Sequence, residues 1–196
     1  VDAAVMMVLW SDLFGLQQTA LINEASIAGM GLSLGLDEGL RLSISGFTDK
    51  QPELLAAALA GLRVDPNQQA LDQAIDRFVR GLENRKRELP FRQLGRTLSS
   101  LTRTGFYDEA SLLDAVAEVT PTRFNAFVER VLDTSLVRVY LFGNYDEAFA
   151  NDLMQTLKSA LPEERAGVTE YARERVYSPV RGQTLVKNTD LPVEDL

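Results

Sequence analysis

The chain has 196 residues, 45% apolar and 24% charged, with a formal net charge of −8: ordinary globular usage, long enough for one domain and the start of a second. The negative charge argues against generic nucleic-acid binding, which uses a basic face to displace counterions, and no apolar run reaches the ~18–20 residues that span a membrane. The sequence contains no cysteine and no histidine, which excludes disulfides, thiolate or imidazole zinc sites, cysteine nucleophiles and a Ser-His-Asp triad within this chain.

Residues 2–28 read as one helix, with apolar Val5, Val8, Leu9, Leu13, Leu16, Ala20 and Ile27 spaced mostly by three and four. Asp2 is its expected cap and Gly29 its stop. The period then changes to two. Leu32, Leu34 and Leu36 alternate with small residues, and so do Leu40, Leu42 and Ile44, with Asp37-Glu38-Gly39 as the hairpin signal between them. One apolar and one polar face predict an antiparallel sheet covered on one side. The second strand runs on to Phe47. Thr48 or Asp49 would then cap a helix with Pro52 and Glu53 in its first turn and a buried stripe of Leu54, Leu55, Ala58, Leu59 and Leu62.

Asp65-Pro66 marks the start of a long helix with Leu71, Ile75, Phe78, Val79 and Leu82 on one side. Leu89-Pro90 breaks it, and Phe91, Leu94, Leu98 and Leu101 mark a shorter one. Asp108 caps a segment with Leu112, Leu113 and Val116; Thr120-Pro121 caps another with Phe124, Phe127, Val128 and Val131. Leu136–Asn144 is rich in β-branched and aromatic residues and reads as a strand buried on at least one face. Asp146 caps a last helix with Phe149, Leu153 and Leu157, stopped by Pro162. Three strands make a thin sheet, so one or two strands are expected before Val1. Val1 is no starting methionine and is followed by an acid rather than a basic run, so the chain reads as a processed or excised piece without a signal peptide. After Pro162 the sequence turns polar and reads as a linker, with a strand near Leu185–Lys187.

Several of these segments carry a resemblance. Glu24, Ala28-Gly29, Gly39-Leu40 and above all Ser43-x-Ser45-Gly46-Phe47-x-Asp49-Lys50-Gln51-Pro52, followed in order by Arg87-Glu88-Leu89-Pro90-Phe91, the Thr120 helix start and Leu141-Phe142-Gly143-Asn144, resemble the middle unit of the insulinase/pitrilysin family of zinc metallopeptidases, the third of four similar units. The resemblance covers residues 2–161, and 162–196 are similar to the linker and the beginning of the next unit. It implies an α+β fold of the α/β roll type (the metallopeptidase LuxS/MPP-like build), an antiparallel sheet with helices on one face. It also implies a parent enzyme whose units close like a clamshell around peptides. The zinc of such an enzyme belongs to the first unit, on an inverted H-x-x-E-H helix whose Glu is the base. No position of this chain can supply that motif.

The resemblance therefore implies a non-catalytic domain that forms part of the chamber wall, with the other units of the same polypeptide and peptide substrates as partners, and with no nucleic acid, membrane or cofactor of its own. An inactive subunit resembling the core proteins of processing peptidases is the alternative. An enzyme built only from carboxylates, hydroxyls and lysines lacks any recognisable activating motif here. The absence of cysteine suits a bacterial cytoplasm or periplasm, and the resemblance leans to the periplasm.

Eight cations lie between Arg77 and Arg103. Arg77, Arg80, Arg85, Lys86, Arg87, Arg92 and Arg96 are candidate contacts for anions or acidic peptides; the other reading is a solvated helix pair balanced by Asp72, Asp76, Glu83 and Glu88. Asp72 and Asp76, one turn apart, are either solvated acids or a weak Mg²⁺ or Ca²⁺ pair. Gly143-Asn144 is a plain turn or a phosphate loop that lacks the usual glycine-lysine run. Trp10 belongs to the core or to an interface. Leu34, Leu36 and Leu40 could border a sheet edge open to strand addition.

Overall fold

The core is organised around one helix that is apolar on most of its circumference. The computed structural model describes residues 1–36, 39–161, 175–178, 180–184, 186 and 188. Within it, α1 (Asp2–Gln17) buries Val5, Met6, Leu9, Trp10, Leu13 and Phe14. Helices α4, α6 and α7 pack around it, and it also lies on the first strand. A helix buried on so many sides needs no polar stripe.

The single helix expected over 2–28 is two helices. The chain bends by 64° at Gln18, and α2 (Thr19–Ile27) runs off in a new direction. The Thr19 hydroxyl donates to the carbonyls of Gly15 (2.9 Å) and Leu16 (2.8 Å) at the bend. It adds a side-chain donor to the carbonyls of the last turn of α1. Asp2 is not a cap. It is the first helical residue, Val1 occupies the cap position, and no side chain bonds there. The stop at Gly29 is as expected: its φ is +73°, Met30 N–H bonds the Ala25 carbonyl at 2.8 Å, and Gly29 N–H bonds Ser26 at 3.0 Å. That pair of bonds is the Schellman ending.

Strands β1 (Gly31–Leu36) and β2 (Leu40–Ser45) pair antiparallel, with Leu32 opposite Ile44 and Leu34 opposite Leu42. Leu32 and Leu34 are buried, and Leu40, Leu42 and Ile44 pack half-buried against the same core. The expected alternation is present, although the tip residues Asp37 and Glu38 lie outside the described residues. Helices α1 and α2 cover β1, and α3 (Gln51–Ala60) covers β2.

Strand β2 ends at Ser45, two residues earlier than expected. Thr48–Lys50 form a short 3₁₀ turn, and neither Thr48 nor Asp49 caps α3; no side chain does. The Gln51 side-chain amide instead ties the start of α3 back to the end of the hairpin, donating to the Gly46 carbonyl at 2.9 Å. Leu54, Ala58, Leu59 and Leu62 are buried as the stripe predicts, with Leu55 half-buried beside them.

Helix α4 spans Gln68–Arg85, two residues after the expected start, because Asn67 rather than Asp65 is the cap; its side chain accepts from Ala70 N–H at 2.8 Å. Helices α5 (Pro90–Thr102), α6 (Glu109–Ala117), α7 (Pro121–Thr134) and α8 (Glu147–Ala160) follow. Asp108, Thr120 and Asp146 cap the last three, accepting from Ser111, Arg123 and Phe149 N–H. Helix α8 packs on α3.

The strand expected over Leu136–Asn144 does not form. The segment enters no ladder, and Tyr140 and Phe142 are 83% and 85% exposed. Its composition is that of a strand, but no described strand lies alongside to accept its hydrogen bonds, and an isolated strand has no stability of its own. The described sheet thus has two strands, not three, in a helix-rich α+β fold. Leu185 and Lys187 of the expected strand fall outside the described residues, as does most of the expected linker, and Val186 between them is exposed.

Candidate functional site

The seven candidate cations fall on α4, the turn after it and α5, and they do not share one environment. Arg77 reaches across to α1, where its Nη2 lies 2.7 Å and its Nε 3.1 Å from Asp12 Oδ2. Arg80 pairs with Asp76 one turn back at 2.7 Å. Arg96 donates to Glu88 at 2.7 Å and to the Arg85 carbonyl at 3.2 Å. Arg92 lies over the Phe91 ring, 5.9 Å from its centroid. Arg85 and Lys86 also lend backbone carbonyls to α5, the latter accepting from the Gln93 side chain at 2.9 Å. Arg87 follows Lys86 in the same turn.

Of the four acids expected to balance the cluster, Asp76 pairs with Arg80 and Glu88 with Arg96. The hydrogen bond from Arg96 holds the Glu88 carboxyl below its ordinary value. Asp72 instead accepts from Gln68 at 2.7 Å. The third balancing acid, Asp12, comes from α1 and could not be read from local spacing. Exposed pairs of this kind are screened by water and contribute little to stability.

A zinc centre does not fit the residues present. The sequence has no imidazole or thiolate, and among the described residues no group of three or more carboxylates is placed to hold a metal. Asp72 and Asp76 are engaged with Gln68 and Arg80, which supports the solvated-acid reading of that pair. Trp10 is wholly buried and donates its indole N–H to the Leu62 carbonyl at 2.9 Å, so it is a core residue. Gly143 sits at φ +149° in a bend, and Tyr145 and Phe149 stack beyond it, 5.0 Å between centroids. At β1, the Ser11 hydroxyl donates to the Leu34 carbonyl at 2.6 Å.

Two features have no counterpart in the sequence reading. One is a shallow cleft of about 260 Å³ between α7 and the segment after α3, lined by Arg63, Asp65, Asn125 and Glu129. There Asn125 Nδ2 donates to Asp65 at 2.6 Å, while its enclosed Oδ1 has no hydrogen-bond partner among the described residues. No spacing joins residues 60 apart, so only the fold reveals it. The other is the orientation of α5. Its stripe Phe91, Leu94, Leu98 and Leu101 is 49–66% exposed, while Gln93 on the opposite side is 8% exposed. The stripe itself was legible; the direction it faces was not.

Comparison with known proteins follows the same outline. The family model described as the middle or third domain of peptidase_M16 matches residues 1–115. The insulin-degrading enzyme of Drosophila melanogaster is 28% identical over 159 residues, covering 80% of this chain and 16% of that protein. Protease 3 of Shigella flexneri is 23% identical over 158 residues, with 80% and 16% covered. The crystal structure of pitrilysin superposes with a TM-score of 0.72 at 22% identity, over 86% of this chain and 18% of that one, which shows a shared fold.

The chain belongs to the insulinase/pitrilysin family of zinc metallopeptidases. Within that family it corresponds to the middle, or third, domain. It spans less than a fifth of the length of the curated relatives it matches.

Proposed function

We propose that this domain is a non-catalytic, chamber-forming unit of an insulinase/pitrilysin-type zinc metalloendopeptidase, and that it helps to enclose peptide substrates that another unit cleaves. The observation that carries the reading is the union of family membership with a sequence that has neither histidine nor cysteine. A zinc peptidase needs three protein ligands and an activated water, and this chain cannot contribute the imidazoles. In this reading the metal belongs to the first unit. Residues 1–161 form the middle domain, and 162–196 lead into the next one.

The two-stranded sheet is then the described part of a larger antiparallel sheet of the α/β roll type. The cations of the α4–α5 turn, Arg85, Lys86, Arg87 and Arg92, would present a positive wall to acidic peptides or other anions. Arg77, Arg80 and Arg96 of the same cluster are each paired with a carboxylate, Asp12, Asp76 and Glu88.

The test is a pair of assays with a fluorogenic peptide. The 196-residue chain should bind no stoichiometric zinc and hydrolyse nothing, whereas the full-length polypeptide should hydrolyse the peptide and lose that activity in EDTA. EDTA-sensitive hydrolysis by the 196-residue chain alone would overturn the proposal.

A further inference from the structure

Residues 71 positions apart in sequence are laced together at the end of α5. Thr104 N–H donates to the Arg175 carbonyl at 2.9 Å, and Arg175 N–H donates to the Thr104 hydroxyl oxygen at 2.7 Å. One threonine thus meets both main-chain groups of Arg175. Tyr177 N–H donates to the carbonyl of Thr102, the last residue of α5, at 2.6 Å. Between these bonds Arg103 and Val176 form an isolated antiparallel bridge. Neither the N–H nor the carbonyl of Val176 has a partner among the described residues, as befits a strand residue between two hydrogen-bonded ones.

The strap also locks onto itself. A turn over 180–183 is closed by Gln183 N–H on the Val180 carbonyl at 2.9 Å, with Gly182 at φ +87°. The Gln183 side-chain oxygen accepts from the Tyr177 hydroxyl at 2.7 Å and from Val180 N–H at 3.3 Å. Arg181 is exposed in this turn. Packing contributes little to the arrangement. Val176, Tyr177 and Val180 do not join the core, Val176 and Val180 are 65% and 75% exposed, and a cleft of about 280 Å³ lies among Leu101, Val176 and Tyr177. Water competes for each of these exposed bonds, so each shifts the balance of closed and open strap by only about fivefold. The buried side chains of α1, by contrast, are released only with the fold as a whole.

We infer that this strap is a latch on the end of α5 that opens while the core stays folded, and that the peptide bond between Arg181 and Gly182 is a conditional cleavage site for an arginine-specific serine protease. Closed, the bond sits in a tight turn. A protease of this kind binds its substrate as an extended strand, so the turn is a poor fit. Opened, the strap offers an extended stretch with Arg181 just before the scissile bond. Water then adds across that bond, leaving a carboxylate on Arg181 and an amine on Gly182. The rate of cutting follows the population of the open latch.

Amide exchange resolved to single residues, with trypsin as the protease, tests both parts on the 196-residue chain. Once intrinsic rates are divided out, the Arg175 and Tyr177 amides should exchange about tenfold or more slowly than that of Val176. Thr104→Val removes the hydroxyl acceptor but keeps the shape. It should speed exchange at Arg175 and Tyr177 by about fivefold and leave the amides of Leu9 and Leu13 in α1 unchanged. The initial rate of cutting after Arg181, read by peptide mass, should rise by a similar factor. Thr104→Ser should restore both rates. Gln183→Leu, which frees the Tyr177 hydroxyl and Val180 N–H, should speed the cutting as well.

Equal exchange at Val176 and Tyr177 would overturn the latch. So would faster exchange at Leu9 and Leu13 in Thr104→Val by the same factor as in the strap, which would make the opening an unfolding of the whole chain. Cutting after Arg181 at one rate in Thr104→Val and in the unsubstituted chain would overturn the conditional site, since the bond would then be cut with the latch closed.

Discussion

Trp10 on α1 and Leu62 just after α3 are joined by a buried hydrogen bond, indole N–H to carbonyl, at 2.9 Å. The bond ties the central helix to the chain leaving the sheet-covering helix, and the ring meets Phe127 of α7 edge-on, 6.3 Å between centroids at 84°. One side chain thus fixes three elements. Trp10→Phe keeps an aromatic body but strands the Leu62 carbonyl and opens a gap. It should destabilise the chain by about 2–3 kcal/mol, read as a lower urea midpoint by far-UV circular dichroism. Trp10 is the only tryptophan, so fluorescence of the unsubstituted chain reports this same region. A midpoint unchanged in Trp10→Phe would show that the bond is not a significant link.

Gly46 ends β2 at φ +112°. A Cβ there would stand 2.8 Å from the Gly29 carbonyl oxygen and 2.8 Å from Met30 Cα, both backbone atoms that cannot swing aside. Gly46→Val should therefore cost about 3 kcal/mol or more, combining strain at positive φ with overpacking. Gly35 lies in the neighbouring strand with open space around its Cβ position, so Gly35→Ala is the control and should leave the melting temperature within a few degrees. Equal behaviour of the two variants would refute the steric account.

The Asp108 carboxylate accepts the backbone N–H of Ser111 at 2.9 Å and its hydroxyl at 3.0 Å. These bonds hold its carboxyl below the usual value. A folded-state value depressed in this way gives stability that is complete above the unfolded value, near pH 4, and is lost as pH falls through the folded one. Asp108→Ala should lose about 1 kcal/mol at pH 7. Asp108→Asn should keep most of the cap and flatten the pH dependence below pH 5. The check is a series of urea titrations from pH 3 to pH 7. An unaltered acid slope in Asp108→Asn would rule this carboxyl out as its source.

How much of this was legible depends on whether the signal was local. The caps Asp108, Thr120 and Asp146 were readable because a cap and the N–H it serves lie three residues apart. The hairpin was readable because a two-residue period admits no other regular structure. Asp65 and Asn67 compete two residues apart at the start of α4, and only geometry chose Asn67. The bend at Gln18 left the apolar spacing nearly intact, so periodicity could not reveal it. Leu136–Asn144 illustrates the opposite limit: β-propensity measures fit to a partner strand, and among the described residues that partner is missing. The candidate cations were found by counting, but the acid that holds Arg77 lies 65 residues away on α1. The stripe on α5 was visible as a stripe, whereas its outward direction depends on Gln93 and Arg96 binding backward.

Gln51 is the buried polar residue that links the sheet to the last helix. It is 4% exposed, donates to the Gly46 carbonyl at 2.9 Å, and accepts from the Tyr145 hydroxyl at 3.1 Å. Tyr145 in turn lies just ahead of α8, which packs on α3. Gln51→Met removes both bonds with little change in volume and leaves two partners short, so it should cost about 1–3 kcal/mol. Tyr145→Phe removes one bond from a less buried group and should cost about 1 kcal/mol. The two losses should not add, because they share an interaction: the double variant should fall short of the sum by about 0.5 kcal/mol or more. Denaturant titrations of the four proteins close that cycle. Strict additivity would mean that the α3 start and the α7–α8 loop are held independently, and the 3.1 Å contact would carry no coupling between them.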